Sequence, residues 1–257
     1  MRYFLRLAYN GAEFCGWQRQ PNAPSVQQRI EEALSTLLRT DTPIVGAGRT
    51  DAGVHASCMY AHFDTADPIA DASGFLRSAN HLCGKDIALY ELIPVADDAH
   101  ARFDATERTY KYYVSECKNP FLYPYCWTPG GSRPLDYEAM NLAARQLLEV
   151  DDFTSFAKLH SDAKTNICRV TRADWTRVES KDAPGMEGNM WVFTITADRF
   201  LRNMVRAVVG TLVEVGRHKL TQEGFATVIA RKDRCSAGTS MPPQALFLYD
   251  IRYPYIP

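Results

Sequence analysis

"GAGRTDAGVHA", Gly46 to Ala56, places three glycines, an arginine and an aspartate within eleven residues. Glycine loses more backbone freedom on folding than any other residue, so a cluster of this density answers a local need. A P-loop ends in Lys followed by Ser or Thr, which hold phosphate and Mg²⁺. Here Gly53 is followed by Val54 and His55, so that architecture is excluded. A dinucleotide-binding βαβ unit requires G-x-G-x-x-G opening a helix. The glycine gap here is too long, and the following stretch, Ser57 to Phe63, reads as a strand. Two uses remain. Asp51 can close a D-x-G turn on its own backbone N–H groups, or the glycines can mount a reactive carboxylate with room for a ligand. Arg49 favours the mount, because a guanidinium beside a carboxylate holds it ionised. Spacing alone names no reaction.

Working outward, Tyr3–Ala8 reads as a strand and 10–24 as a loop rich in Gly, Asn and Pro. Ser25-Val-Gln-Gln28 after Pro24 reads as a capping box. Val26, Ile30, Ala33, Leu34 and Leu37 then follow at helical spacing, which predicts an amphipathic helix over 25–39. A helix over 71–82 and a strand over Ile87–Val95 complete a first half. The second half repeats the outline with a strand Glu107–Ser115, a helix Leu135–Glu149 and strands Arg169–Val178 and Trp191–Ala197. A Gly/Pro/Asp loop joins those two strands. Helices Arg199–Gly216 and Gln222–Ala230 and a strand Leu246–Arg252 follow. Two strand–helix halves without a letter-level repeat predict an α+β fold. The boundary is expected between residues 105 and 106, giving an aspartate-bearing half 1–105 and a second half 106–257. The Tyr- and Pro-rich stretch 119–134 reads as a linker or long loop.

A chain of 257 residues with 46% hydrophobic content can bury a sizeable core. Its 29 basic and 30 acidic residues give a net charge of -1, so any polyanion must be held by a local cationic face rather than by bulk charge. Seven cysteines without a C-x-x-C pair read as reduced thiols of a cytoplasmic protein. The six histidines show no metal-ligand spacing, so no metal is expected. MRYFLRLAYN lacks the apolar core of a signal peptide, and Arg202 and Arg206 interrupt the longest apolar run, so no membrane span is expected.

Four motifs in order carry a family resemblance. "GRTDAGVHA" resembles the aspartate motif of the tRNA pseudouridine synthases that act on the anticodon arm. "YNGAEFCGWQRQ" (Tyr9–Gln20) with "SVQ" (Ser25–Gln27) is similar to that family's N-terminal signature. "ERTYKYYV" (107–114) is similar to its tyrosine motif, and "FLRNMVRAVVG" (200–210) to its arginine-bearing helix. The match runs to the closing "LYDIRYP". It departs in "MPPQAL", where Met241 and Ala245 stand for the family's more frequent Ala and Gly.

The resemblance implies two similar halves whose antiparallel sheets join, with the active cleft between them. It implies isomerisation of uridine to pseudouridine at tRNA positions 38–40, without a cofactor, by a cytoplasmic homodimer that binds the anticodon stem-loop. Asp51 maps onto the nucleophile. Tyr110 and Arg206 map onto positions that contact substrate, Tyr110 stacking on the extruded uracil, and Arg49, Arg202 and Leu246 are expected to contact substrate beside them. The residues add their own reading. At about 100° per residue, Arg199, Arg202 and Arg206 share one face of a helix over 199–216, with Gly210 below them to admit a phosphate. His55 reads as a structural residue that bonds the loop. The alternative function is a non-catalytic RNA-binding module of the same fold, stacking bases on its aromatic strands.

Overall fold

The computed structural model describes residues 1–130, 133–159, 164–178 and 189–256. In chain order the elements are β1 (Arg2–Tyr9), α1 (Val26–Leu38), β2 (Val45–Gly46), β3 (His55–Asp64), α2 (Ala72–Cys83) and β4 (Ile87–Val95). They continue with β5 (Glu107–Ser115), α3 (Tyr137–Arg145), β6 (Val170–Arg177), β7 (Met190–Ala197), α4 (Met204–Gly216), α5 (Gln222–Arg231) and β8 (Leu246–Arg252). The fold is α+β; within each unit the described strands pair antiparallel except for β3 with β8. Two compact units form, Met1–Thr106 with Phe247–Pro257, and Glu107–Leu246.

In the first unit β1 lies between β3 and β4, and β8 runs parallel to β3 with His55 opposite Phe247. Alternation sends Tyr3, Leu5, Leu7 and Tyr9 to one face of β1 and Phe4 to the other, and all five are buried. Both faces are therefore covered near Phe4, which meets Tyr253 edge-on at 5.2 Å and stacks on His62 at 6.1 Å. On the opposite face Phe63 stacks on Tyr3 and on Phe75 of α2. α1 starts where its cap predicts: the Ser25 side chain accepts the Gln28 N–H at 3.3 Å. Only half of the capping box forms, because the Gln28 amide donates instead to Glu32 one turn on. Arg39 ends the helix in the left-handed region at φ 56°.

In the second unit β7 lies between β5 and β6, with Tyr110 opposite Ile195. The β-branched and aromatic run of β7 suits a central strand. Trp175 of β6 packs on Phe193 of β7 at 5.1 Å, and Tyr137 of α3 stacks on Trp191 at 3.9 Å. α3 is shorter than the predicted 135–149. Asp136 caps it through Ala139 N at 2.9 Å, and from Gln146 to Leu148 the turn tightens into a 3-10 form. The Tyr- and Pro-rich stretch does not link units. The described part folds onto the second unit, with Trp127 bridged to Val114 and Leu122 and Cys126 buried against Met190. Residues 131 and 132 of that stretch, and most of the Gly/Pro/Asp loop before β7, lie outside the described residues.

His62 ties strand to loop inside the first unit. Its Nδ1 accepts the Ala101 N–H at 3.1 Å. Burial, with the nearby Arg2 charge second, pushes its pKa down to about 4. The unfolded chain therefore binds a proton here at a pH where the folded chain does not. Stability from this residue is complete above about pH 6.5 and falls as the pH drops towards 4, by at most about 3 kcal/mol. Urea unfolding at pH 7 and pH 5 should show a drop in midpoint that is smaller in His62→Asn. An equal drop in both proteins would assign the acid lability elsewhere.

Candidate active site

The aspartate loop and the N-terminal loop form one structure. Trp17 N donates to Thr50 O at 3.2 Å and Gly53 N to Phe14 O at 3.3 Å, on either side of Asp51. Val54 N closes a turn on Asp51 O at 3.1 Å. The Tyr9 hydroxyl and the Thr50 hydroxyl share a buried hydrogen bond of 2.8 Å. His55, 1% exposed, accepts the Gly11 N–H on Nδ1 at 3.0 Å and stacks on Phe247 at 4.6 Å. Asp51 itself is half-buried. The result is a carboxylate whose flanking backbone is held by three backbone hydrogen bonds, with the Thr50 and His55 side chains bonded beside them.

The glycines explain how the loops come so near. A Cβ on Gly11 would overlap the Val54 carbonyl. Gly16 sits at φ +94°, and a Cβ there would lie 2.5 Å from Thr50 O. Gly46 leaves space for the Trp17 indole, which a Cβ would meet at 2.5 Å. Gly48 differs: nothing lies within 4 Å of where its Cβ would be. The loop is open on that side.

Arg49 does not form the expected ion pair with Asp51. It is exposed, and its Nε donates to Gln18 Oε1 at 3.1 Å. The N-terminal loop supplies the partner instead. Gln18 has no assigned role in the sequence reading. The signal for it was a buried acid, Glu31, on the otherwise apolar face of α1, one turn beyond Gln27.

In the second unit Tyr110 is half-buried on β5, with its ring edge-on to Phe200 at 5.0 Å. Its neighbour Tyr112 is a core residue, fully buried, donating to Pro242 O at 3.2 Å, and burial raises its pKa. The arginine stripe is corrected. α4 begins only at Met204, after Asn203 adopts φ 65°, so Arg199 and Arg202 precede the helix and share no face with Arg206. The chain has to turn out of β7 first, and Asp198 holds that turn by accepting the N–H groups of Arg169 and Arg199. Arg202 is exposed on the turn, and its carbonyl accepts Lys158 N at 3.1 Å.

Arg206, in the first turn of α4, clasps the segment before β8. Its Nε donates to Met241 O at 2.6 Å and its carbonyl accepts Met241 N at 3.1 Å. Gly210 serves this segment rather than a phosphate, since a Cβ there would overlap Thr239 O. Leu246 follows, buried, at the start of β8. Among the described residues no group of three or more His, Cys, Asp or Glu is placed to hold a metal ion, and no helix is long and apolar enough to cross a membrane.

The family model described as tRNA pseudouridine synthase matches residues 143–254, and relatives bearing that name match nearly the whole chain. The chain belongs to the tRNA pseudouridine synthase family. The protein called tRNA pseudouridine synthase A from Parabacteroides distasonis is 58% identical over 98% of this chain and 96% of its own length. Those of the same name from Bacteroides thetaiotaomicron and Porphyromonas gingivalis are 58% and 52% identical, again over 98% of this chain and over 91% and 97% of their own.

The two kinds of glycine separate by experiment. Gly16→Ala strains a positive-φ position and crowds the Thr50 carbonyl, so it should lower stability by about 1–3 kcal/mol and uridine turnover with it. Gly48→Ala should unfold within about 0.5 kcal/mol of wild type, as a substitution into open space. Thermal melts of the two variants check this. Equal midpoints would mean that the loop contact is not rigid.

Proposed function

We propose that this chain isomerises uridine to pseudouridine at positions 38–40 of the tRNA anticodon arm, with Asp51 as nucleophile. The C1′–N1 bond breaks, the uracil turns, and C5 joins C1′; the C5 proton leaves and N1 gains one, so composition is unchanged. A carboxylate suits this task as it suits a retaining glycosidase, because it can form and release a covalent bond to an electron-poor centre. The observation that carries the reading is the mounting of Asp51: a half-buried carboxylate on a loop pinned by backbone bonds, with open space at Gly48. A side chain held this way needs little reorganisation when the nucleotide arrives.

The other residues take separate roles. Arg49 presents an exposed guanidinium for a phosphate. Tyr110 offers a ring face to a base taken out of the stem, a step that costs a few kcal/mol. Arg202 is an exposed cation for the RNA backbone, Arg206 holds the Met241 segment in place, and Leu246 forms an apolar wall. We read the working form as a homodimer on one anticodon stem-loop, in a reducing cytoplasm that suits seven free cysteines. The RNA-binding-module reading lacks a use for a carboxylate built into this mount.

Tritium release from tRNA transcripts carrying C5-labelled uridine, with product positions mapped, tests the reading. Asp51→Asn should release none while binding tRNA within about tenfold of wild type. Tyr110→Phe should keep the stacking surface and slow release by about 10²-fold if its hydroxyl assists loss of the C5 proton. Turnover by pure Asp51→Asn would remove the nucleophile, and product outside the anticodon arm would remove the specificity.

A further inference from the structure

Arg49 is the last member of a line of side chains that reaches into the first unit. Its Nε donates to Gln18 Oε1 at 3.1 Å. Gln18 Nε2 donates to Gln27 Oε1 at 2.9 Å, and Gln27 Nε2 donates to Glu31 Oε1 at 2.9 Å. Glu31 is 7% exposed and accepts twice more, from Ile44 N on Oε1 and from Arg19 Nη1 on Oε2, both at 3.1 Å. Gln27 is fixed from the side as well, accepting Arg19 N at 3.0 Å and donating to Ile44 O at 3.1 Å.

The direction of this line is forced at both ends. A guanidinium can only donate, and a carboxylate can only accept. Glu31 therefore takes the Gln27 amide by its nitrogen, which turns the Gln27 oxygen to Gln18. Gln18 must then donate to Gln27 and offer its own oxygen to Arg49. Neither amide can flip without placing two donors or two acceptors face to face. A flip at Gln27 would set its oxygen against the buried carboxylate, which leaves a desolvated acceptor unsatisfied. Chains of aligned hydrogen bonds strengthen one another in a low dielectric.

We propose that Gln18 is a positioning residue: through the relay Arg49–Gln18–Gln27–Glu31, the buried Glu31 carboxylate fixes the Arg49 guanidinium so that its two terminal amino groups face a substrate phosphate. This rests on the function proposed above for Arg49 and names what orients it. Nε is the atom that the relay occupies, and Nη1 and Nη2 form no hydrogen bond to the described residues. An arginine fixed by Nε presents the fork that binds phosphate with two parallel hydrogen bonds. Without the relay an exposed arginine samples many rotamers, and binding would have to order it at a cost in affinity. The relay also accounts for an acid on the buried face of α1 and for glutamines in both parts of the N-terminal signature.

Two readouts separate the relay from the reaction. In protein without RNA, the Arg49 Nε–H should give a slowly exchanging, dispersed ¹⁵N–¹H signal. Gln18→Met, which keeps the shape and removes both hydrogen bonds, should return that signal to the exposed-arginine position, and Glu31→Gln should shift it. In turnover on tRNA, Gln18→Met should raise KM by about tenfold, well beyond its effect on kcat, as loss of substrate positioning does. In an Arg49→Met background the same change should add less than about twofold, because nothing is left to orient. A penalty of the same size in both backgrounds, or an Arg49 signal unmoved by Gln18→Met, overturns the proposal. A wild-type enzyme that releases no tritium from tRNA overturns the proposed function instead, while the arginine signal still reports whether the relay holds.

Discussion

Loops 44 residues apart in sequence meet backbone to backbone where Gly11 faces Val54 and His55, and again where Gly16 faces Thr50. Everything assigned to the first unit's chemistry follows from that approach. It holds Asp51 from both sides through Trp17 N and Gly53 N, and it brings Gln18 within reach of Arg49. Any side chain at Gly11 or Gly16 would push the loops apart, since both contacts are to carbonyl oxygens that cannot move independently of the chain. Of the glycines that looked like a ligand cradle, Gly46 makes room for the Trp17 indole and Gly48 borders open space.

The sequence was most legible where local rules and burial agree. The α1 helix begins at its Ser25 cap and ends within a residue of the predicted boundary, because a stripe of apolar residues and a capping hydroxyl point to the same start. The strands β1, β4, β5 and β8 match their expected bounds to within a residue. The start of α4 was misread for a physical reason. Residues 199–203 have helix-compatible side chains, but the chain has to leave β7 through a turn that Asp198 and a left-handed Asn203 hold. Helical periodicity cannot see a turn imposed by the preceding strand. The arginine stripe failed with it.

Site residues were legible by type and less so by partner. Asp51 and Tyr110 stand out in sequence, and both are half-buried. Arg49 was paired with the wrong neighbour, because proximity in sequence says nothing about which way two side chains leave a loop. Its partner came from a segment some 30 residues earlier, and only a buried acid on an apolar helix face hinted at the relay. With a net charge of -1 the protein has no general attraction for RNA, so the few guanidinium groups that face a ligand have to be well placed.

The last strand sets an order of assembly. β8 completes the sheet of the first unit by lying parallel to β3, and the Ser57 hydroxyl reaches Leu248 O across 191 residues of sequence. On a ribosome, residues 107–246 emerge before that strand exists. The second unit can thus gather its own strands while the first still lacks one edge partner. Closing so long a loop is entropically costly and slow, and until it closes β3 presents unpaired backbone groups to its surroundings. During synthesis the half that carries Asp51 is the half that matures last.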